Sequence, residues 1–309
     1  MGQNLLALQF PGQGSQAVGM GKALATTSPA AARLFAQADE ILGFPLSRIC
    51  FEGPQDALDD TINTQPALLV TSVAAFYALQ ERLDQPLAFV AGHSLGEFSA
   101  LVACGALPFE VALRLVRERG RLMKEAAGQQ PGGMAAVLGL DTETIEATCA
   151  QAAATTGGVL VVANDNCPGQ TVISGDEQTL AVGMRELLAA GARRVVRLAV
   201  SIPAHSPLMA AAADAFRRAL HAVPLNRPTV PLVSNSTTAP LDDPQTIREA
   251  LARQLTAPVR WSQSVRWMIA QGVRRFVEVG PNSVLTGLLK RIDGSVEALS
   301  TAQVLGSEV

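Results

Sequence analysis

Residues 87–107 read LAFVAGHSLGEFSALVACGAL, and within them Ser94 stands two residues from Gly92 and two from Gly96. Glycines at that spacing let a strand-to-helix turn hold a serine hydroxyl clear of the backbone, as a nucleophile in acyl transfer requires. The helix N-terminus that follows offers unpaired N–H groups to a developing oxyanion, beginning with that of Leu95. The same residues admit a second reading. Ser-x-x-Glu ahead of an apolar run is also a capping box, with Ser94 as N-cap and Glu97 three residues on. Capping alone has no need of the two glycines, which favours the nucleophile. Whether its acyl group passes to water or to another molecule stays open.

A serine hydroxyl needs a base within hydrogen-bond reach, most often a histidine. The chain has three. His93 adjoins the serine in a tight turn, so its ring is expected to point elsewhere. His221 lies near the end of an amphipathic helix, where a half-exposed histidine is ordinary. His205 sits in VSIPAHSPLM, stiffened by Pro203 and Pro207, at a junction where clefts form. No acid accompanies it, so the expectation is a Ser94–His205 dyad whose imidazole is oriented by a backbone carbonyl. The loop PGQGSQ (11–16) lacks the Gly-Lys-Ser/Thr ending of a phosphate-binding loop. It reads either as an ordinary turn or as the source of a second oxyanion N–H.

The helix around ALRLVRERGRLMKEA (112–126) carries four arginines. Arg114, Arg117 and Arg121 fall on one stripe and read as solvated. Arg119 is three or four residues from Leu115, Val116, Leu122 and Met123, which puts it in the apolar face. An inward guanidinium calls for an anion, since breaking a buried pair costs roughly 3 to 5 kcal/mol. That anion is either an internal Asp or Glu, or the free carboxylate of a dicarboxylic acyl substrate gripped by the bidentate fork. The second choice would select malonyl over acetyl groups, and Arg119 would then face a water or a bound anion when substrate is absent.

The elements that position these residues alternate. LLALQF (5–10) reads as a buried strand, helical patterns follow over about 30–42 and 66–83, and another helix runs from Pro108 to about Ala127. This predicts an α/β fold with a mainly parallel sheet covered by helices, a hydrolase-like core. After the break QQPGG (129–133), the series MAAVLGL, TETIEATCAQAAA, VLVVAND, QTVISG, EQTLAVGMRELLAAG and RRVVRLAV has the order βαββαβ of a small ferredoxin-like unit. The expected domains are therefore 1–130 with 200–309, and an inserted 131–199. VPLVSN and FVEVG read as further strands, PNSVLTGLLKRI as a helix, and the last ten residues as frayed.

Composition narrows the classes. With 309 residues, 48% hydrophobic and 17% charged, and a net charge of −3, the chain suits an α/β enzyme and argues against nucleic-acid binding. Its four cysteines (Cys50, Cys104, Cys149, Cys167) show no C-x-x-C spacing, which fits a reducing cytoplasm. The start MGQNLLALQFPGQG lacks the basic region of a signal peptide and the Ser or Thr of a myristoylation site. No stretch reads as a membrane span.

FPGQGSQ, QPALLVTS (65–72), GHSLGE (92–97), Arg119-Gly120, NDNCPGQTVISG (164–175), IPAHS (202–206) and VEVGPNSVLTGLLKRI (277–292) together resemble the malonyl-CoA:acyl-carrier-protein transacylases, in order and through nearly the whole chain. The resemblance implies ping-pong acyl transfer from malonyl-CoA to an acidic, transient acyl-carrier-protein partner, with no metal, nucleotide or redox cofactor. It makes Ser94 the nucleophile and His205 the base. The oxyanion hole would be the N–H groups of Gln13 and Leu95, and Arg119 would be the carboxylate ligand. Gln65, Asn164 and Asn166 would line the cleft. Where some members carry Gln in PVxW, this chain has Arg260, in a segment whose backbone carbonyl orients the histidine in the family. Lys290 with Arg291, or Arg193, Arg194 and Arg197, are candidate carrier contacts, and a monomer is expected. A serine hydrolase would instead place an acid between Ser and His in the chain, and a vestigial carrier-docking module would not need Ser94, His205 and Arg119 all intact.

Overall fold

The computed structural model describes residues 5–83, 85–306 and 309. Two sheets organise the chain. The larger contains β1 (Leu5–Phe10) and β2 (Leu87–Gly92), and the smaller contains β3 (Gly132–Leu138), β4 (Leu160–Cys167), β5 (Gln170–Asp176) and β6 (Arg194–Arg197). The chain then returns to the larger sheet through β7 (Leu232–Val233), β8 (Pro240–Leu241), β9 (Val273–Glu278) and β10 (Glu297–Ser300).

The larger sheet has the order β10-β9-β1-β2-β7-β8, parallel throughout except for the β7–β8 pair. β1 lies between β9 and β2 and is almost wholly buried, as its run of apolar residues, broken only by Gln9, requires of a strand covered on both faces. Register matters most at its end: Phe10 pairs with Gly92, so the PGQGSQ loop and the Ser94 turn leave the sheet side by side. The N–H of His93 donates to the carbonyl of Phe10 and ties the two turns together. This is the carboxyl end of neighbouring parallel strands, where open α/β sheets form their clefts.

The smaller sheet is antiparallel with order β4-β5-β3-β6, and the helices Thr142–Thr156 and Glu177–Ala189 complete the βαββαβ arrangement. It has its own apolar core of Ile145, Leu160, Ile173, Leu180 and Leu187. Strand β4 is pinned to the larger body where Val259 donates to Ala163 O and accepts from Asp165 N–H. That clasp sets Asn164 and Asn166 against the ends of β1 and β2.

Three expectations need correction. The helix Thr61–Leu79, continued by a turn to Arg82, is long and apolar enough to cross a membrane, yet most of it is buried as the central helix of the core. VPLVSN contributes only the two-residue β7, because the chain turns at Ser234 and Asn235 to reach the site. The tail is not frayed through its last ten residues: β10 pairs with β9, and the helix Thr301–Leu305 is closed by a capping box of Ser300 and Gln303. Ser300-x-x-Gln303 is legible in the sequence as that signature. Residues 1–4, which begin the stretch on which the absence of a signal peptide and of a myristoylation site is read, lie outside the described residues.

Replacing the cap by Ser300→Ala is expected to cost about 1 kcal/mol, read as a lower denaturant midpoint at unchanged slope. An unaltered midpoint would mean that the C-terminal helix contributes nothing to stability.

Candidate active site

Ser94 adopts a left-handed backbone, φ 51°, which few residues with a side chain accept. The two glycines make the turn possible. A Cβ on Gly92 would meet Gly96 C at 1.9 Å, and one on Gly96 would meet Phe10 O at 2.1 Å. The capping-box reading does not hold. Leu95 occupies the N-cap with no side-chain cap, and the Ser94 hydroxyl is engaged by His205 and Arg119 instead. What pins the turn is Asn235: its Oδ1 accepts from Ser94 N–H at 2.7 Å and its Nδ2 donates to Gly92 O at 2.6 Å.

The Ser94 hydroxyl lies 2.8 Å from His205 Nε2. His205, also left-handed at φ 58°, turns its Nδ1 to Gln254 O at 2.9 Å and Ala257 O at 3.1 Å. Two carbonyl acceptors fix the tautomer: the proton sits on Nδ1, and Nε2 is left to accept from the serine. The orienting carbonyls come from just ahead of the PVRW segment and not from within it. Arg260 lends its backbone N–H to Asn235 O, while its exposed side chain lines a second groove, with Asp165 and Gln263, that also reaches His205. Among the described residues no carboxylate reaches His205, so the acid that a hydrolase triad would require is missing. Burial first, and then the charge of Arg119, push the imidazole down to about 3.

Arg119 is 2% exposed. It donates from Nη1 to Gln65 Oε1 at 3.0 Å, and from Nη2 to Gln254 Oε1 at 2.8 Å and Ser94 Oγ at 3.1 Å. The inward placement read from periodicity is therefore observed, and among the described residues no Asp or Glu touches the guanidinium. Neutral oxygens hold it, and its Nε has no acceptor among the described residues. Burial lowers it to about 10, so it stays charged. Of the arginines expected to be solvated, Arg114 and Arg121 are exposed, but Arg117 lies half-buried with its guanidinium 4.3 Å from the Phe44 ring centroid.

These groups open into a cleft of about 430 Å³ between the two sheets, lined also by Gln13, His93, Leu95, Asn164, Asn166 and Ala204. Among the described residues, the N–H groups of Gln13 and Leu95 meet no acceptor. Gln13 Oε1 accepts from the Thr61 hydroxyl, and Gln65 is wholly buried beneath Arg119. His93 turns away from the serine to Asn166 Oδ1 at 2.8 Å, linking the elbow to the smaller sheet. The sequence did not single out Asn235 or Gln254, and it gave the buried Glu97 only a capping-box role. Glu97 was legible in GHSLGE, whereas nothing in LVSN or ALARQL marked the other two.

The arrangement can transfer an acyl group. A hydroxyl sits on a neutral base, free N–H groups stand beside it, and a fixed cation is within reach of an acyl chain's far end. Comparison with known proteins agrees. Residues 9–308 match the family described as acyl transferase domain. The chain is 44% identical over 292 residues to the malonyl CoA-acyl carrier protein transacylase of Escherichia coli K12, covering 94% of each. Its fold superimposes on the malonyl CoA-acyl carrier protein transacylase of Coxiella burnetii with TM-score 0.94, 39% identity and coverage of 98% and 96%. It also superimposes on a malonyl-transacylase in complex with its type II PKS acyl-carrier protein, with TM-score 0.91, 42% identity and coverage of 96% and 94%.

With His205 neutral down to about pH 3, acylation at saturating acyl-CoA should show no inflection near pH 6.5, about where a solvated histidine titrates. A pH–rate profile checks this. A limb at that value would mean that the imidazole is hydrated in the working enzyme.

Proposed function

The chain belongs to the acyl transferase family, among the malonyl-CoA:acyl-carrier-protein transacylases, and on that premise we propose that Ser94 carries the malonyl group between two thiols. The enzyme moves malonyl from malonyl-CoA to the phosphopantetheine thiol of acyl carrier protein in fatty-acid synthesis. His205 Nε2 takes the Ser94 proton as Oγ attacks the thioester carbonyl. The N–H groups of Gln13 and Leu95 receive the oxyanion, and the departing CoA thiolate recovers the proton from Nε2. In the second half-reaction the carrier thiol gives its proton to Nε2 and attacks the malonyl ester, the bond from Ser94 Oγ to the acyl carbon breaks, and Oγ takes the proton back from Nε2. Asn164 and Asn166, 6% and 8% exposed, face the cleft that both thioesters enter.

The observation that carries this reading is Arg119 at 3.1 Å from Ser94 Oγ. A guanidinium so close to a nucleophile, with an N–H on Nε and one on Nη1 unused among the described residues, is placed to bind the free carboxylate of a malonyl group esterified there. Gln65 steadies it from below. A carboxylate held at its far end also explains why the ester waits for a carrier: the acyl group is oriented and its carbonyl is kept in the oxyanion site.

Arg291 donates to Gln170 Oε1 and Pro168 O at the rim, and Gln170 lines the cleft, so Arg291 with Lys290 is the favoured contact for an acidic carrier. Arg197 is engaged by Glu177, which makes the group with Arg193 and Arg194 a weaker one. A monomeric cytoplasmic enzyme fits this role. The relative solved with a polyketide carrier supports a second reading, in which the carrier belongs to polyketide synthesis.

Arg119→Ala is expected to lower malonyl transfer by about a hundredfold or more, as loss of a charge-assisted pair implies, while acetyl transfer falls far less. Paired assays with malonyl-CoA and acetyl-CoA decide it, and equal losses would remove the carboxylate clamp.

A further inference from the structure

Glu97 is 2% exposed and, among the described residues, makes no direct ion pair. Its Oε1 accepts from Asn235 N–H at 2.7 Å and its Oε2 from Gln254 Nε2. The same Nε2 donates to Ser94 O at 2.9 Å, and the other end of that amide, Oε1, accepts from Arg119 Nη2. One glutamine thus stands between a buried carboxylate and a buried guanidinium, while its backbone carbonyl accepts from His205 Nδ1. An amide has two orientations. With Glu97 ionised, its oxygen accepts only donors, so the Gln254 nitrogen must face Glu97 and its oxygen must face Arg119.

We propose that Glu97 is a positioning residue for the malonyl clamp: its carboxylate fixes the Gln254 amide, and through it aims Arg119 at the acyl group on Ser94. The inference rests on the reading of Arg119 as the carboxylate ligand. Glu97 also supplies a negative charge that favours the ionised guanidinium, and because it does not touch Arg119, the Nε–H and the second Nη1–H stay unengaged among the described residues. Burial, opposed by the Asn235 and Gln254 hydrogen bonds and by Arg119, pushes the carboxyl up to about 7. Arg119 is the charged group acting on it. The Asn235 loop and the Pro244–Gln254 helix present neutral amides to it, and the nearby His93 and His205 are shifted towards their neutral forms by burial. A protonated Glu97 would donate, the amide would turn, and Arg119 would lose its partner.

Glu97→Gln tests this in the full-length enzyme, because an amide offers one oxygen where two donors need acceptors. The expected result is a malonyl-CoA KM raised about tenfold, the scale of one weakened charged hydrogen bond, with kcat within about twofold and acetyl transfer unchanged. In the wild type, the malonyl KM should rise as pH falls through about 7, and in the variant it should be flat. Equal slowing of malonyl and acetyl transfer, or an unchanged KM, would overturn the proposal. If the variant does not fold, the wild-type profile alone decides, and a malonyl KM flat from about pH 5 to pH 9 overturns it. Arg119→Ala in the same assay separates the two ideas. A malonyl KM untouched by it removes the clamp and this inference together, whereas a KM raised by Arg119→Ala but not by Glu97→Gln leaves the clamp standing and removes the role of Glu97.

Discussion

A guanidinium shut away from water without a carboxylate in contact is the constraint around which this site is built. Arg119 enters the interior on the apolar face of the Phe109–Gln129 helix, and its charge must be met by whatever the neighbouring elements bring. They bring amide oxygens from Gln65 and Gln254 and the hydroxyl of Ser94, with Glu97 one residue further off. A direct ion pair would satisfy the arginine fully and leave it nothing to offer. Partial satisfaction by neutral groups keeps it ionised and still able to bind, which is what selection of a dicarboxylic acyl group demands.

The Ser94 turn is under a related tension. Ser94 and His205 both hold left-handed backbones, each costing on the order of 1 to 3 kcal/mol, and the surrounding structure must over-determine them. For Ser94 this falls to the Gly92–Gly96 contact, the pairing of Phe10 with Gly92, and the two hydrogen bonds of Asn235. For His205 it falls to the carbonyls of Gln254 and Ala257. The residues that hold Ser94, His205 and Arg119 thus overlap: Gln254 touches all three.

How much of this the sequence discloses follows from the range of each interaction. Local patterns were enough to find the strand-turn-helix at Ser94, the βαββαβ order and the inward side of Arg119, because glycine spacing and helical periodicity act over a few residues. The partners Asn235 and Gln254 come from segments more than a hundred residues away, and a single Asn or Gln carries no local mark of its burial. The same limit applies to Arg117, whose place over Phe44 is set by tertiary packing, and to the carbonyls that orient His205, which no side chain announces. The capping box that helps close the C-terminal helix was local and could have been read.

The most direct test of the central claim is rapid-quench intact mass after mixing the enzyme with malonyl-CoA, with Ser94→Ala alongside. A malonyl adduct that persists until carrier protein is added, and that is absent from the variant, is the expected result. CoA release without an adduct, or an adduct retained by Ser94→Ala, would contradict it.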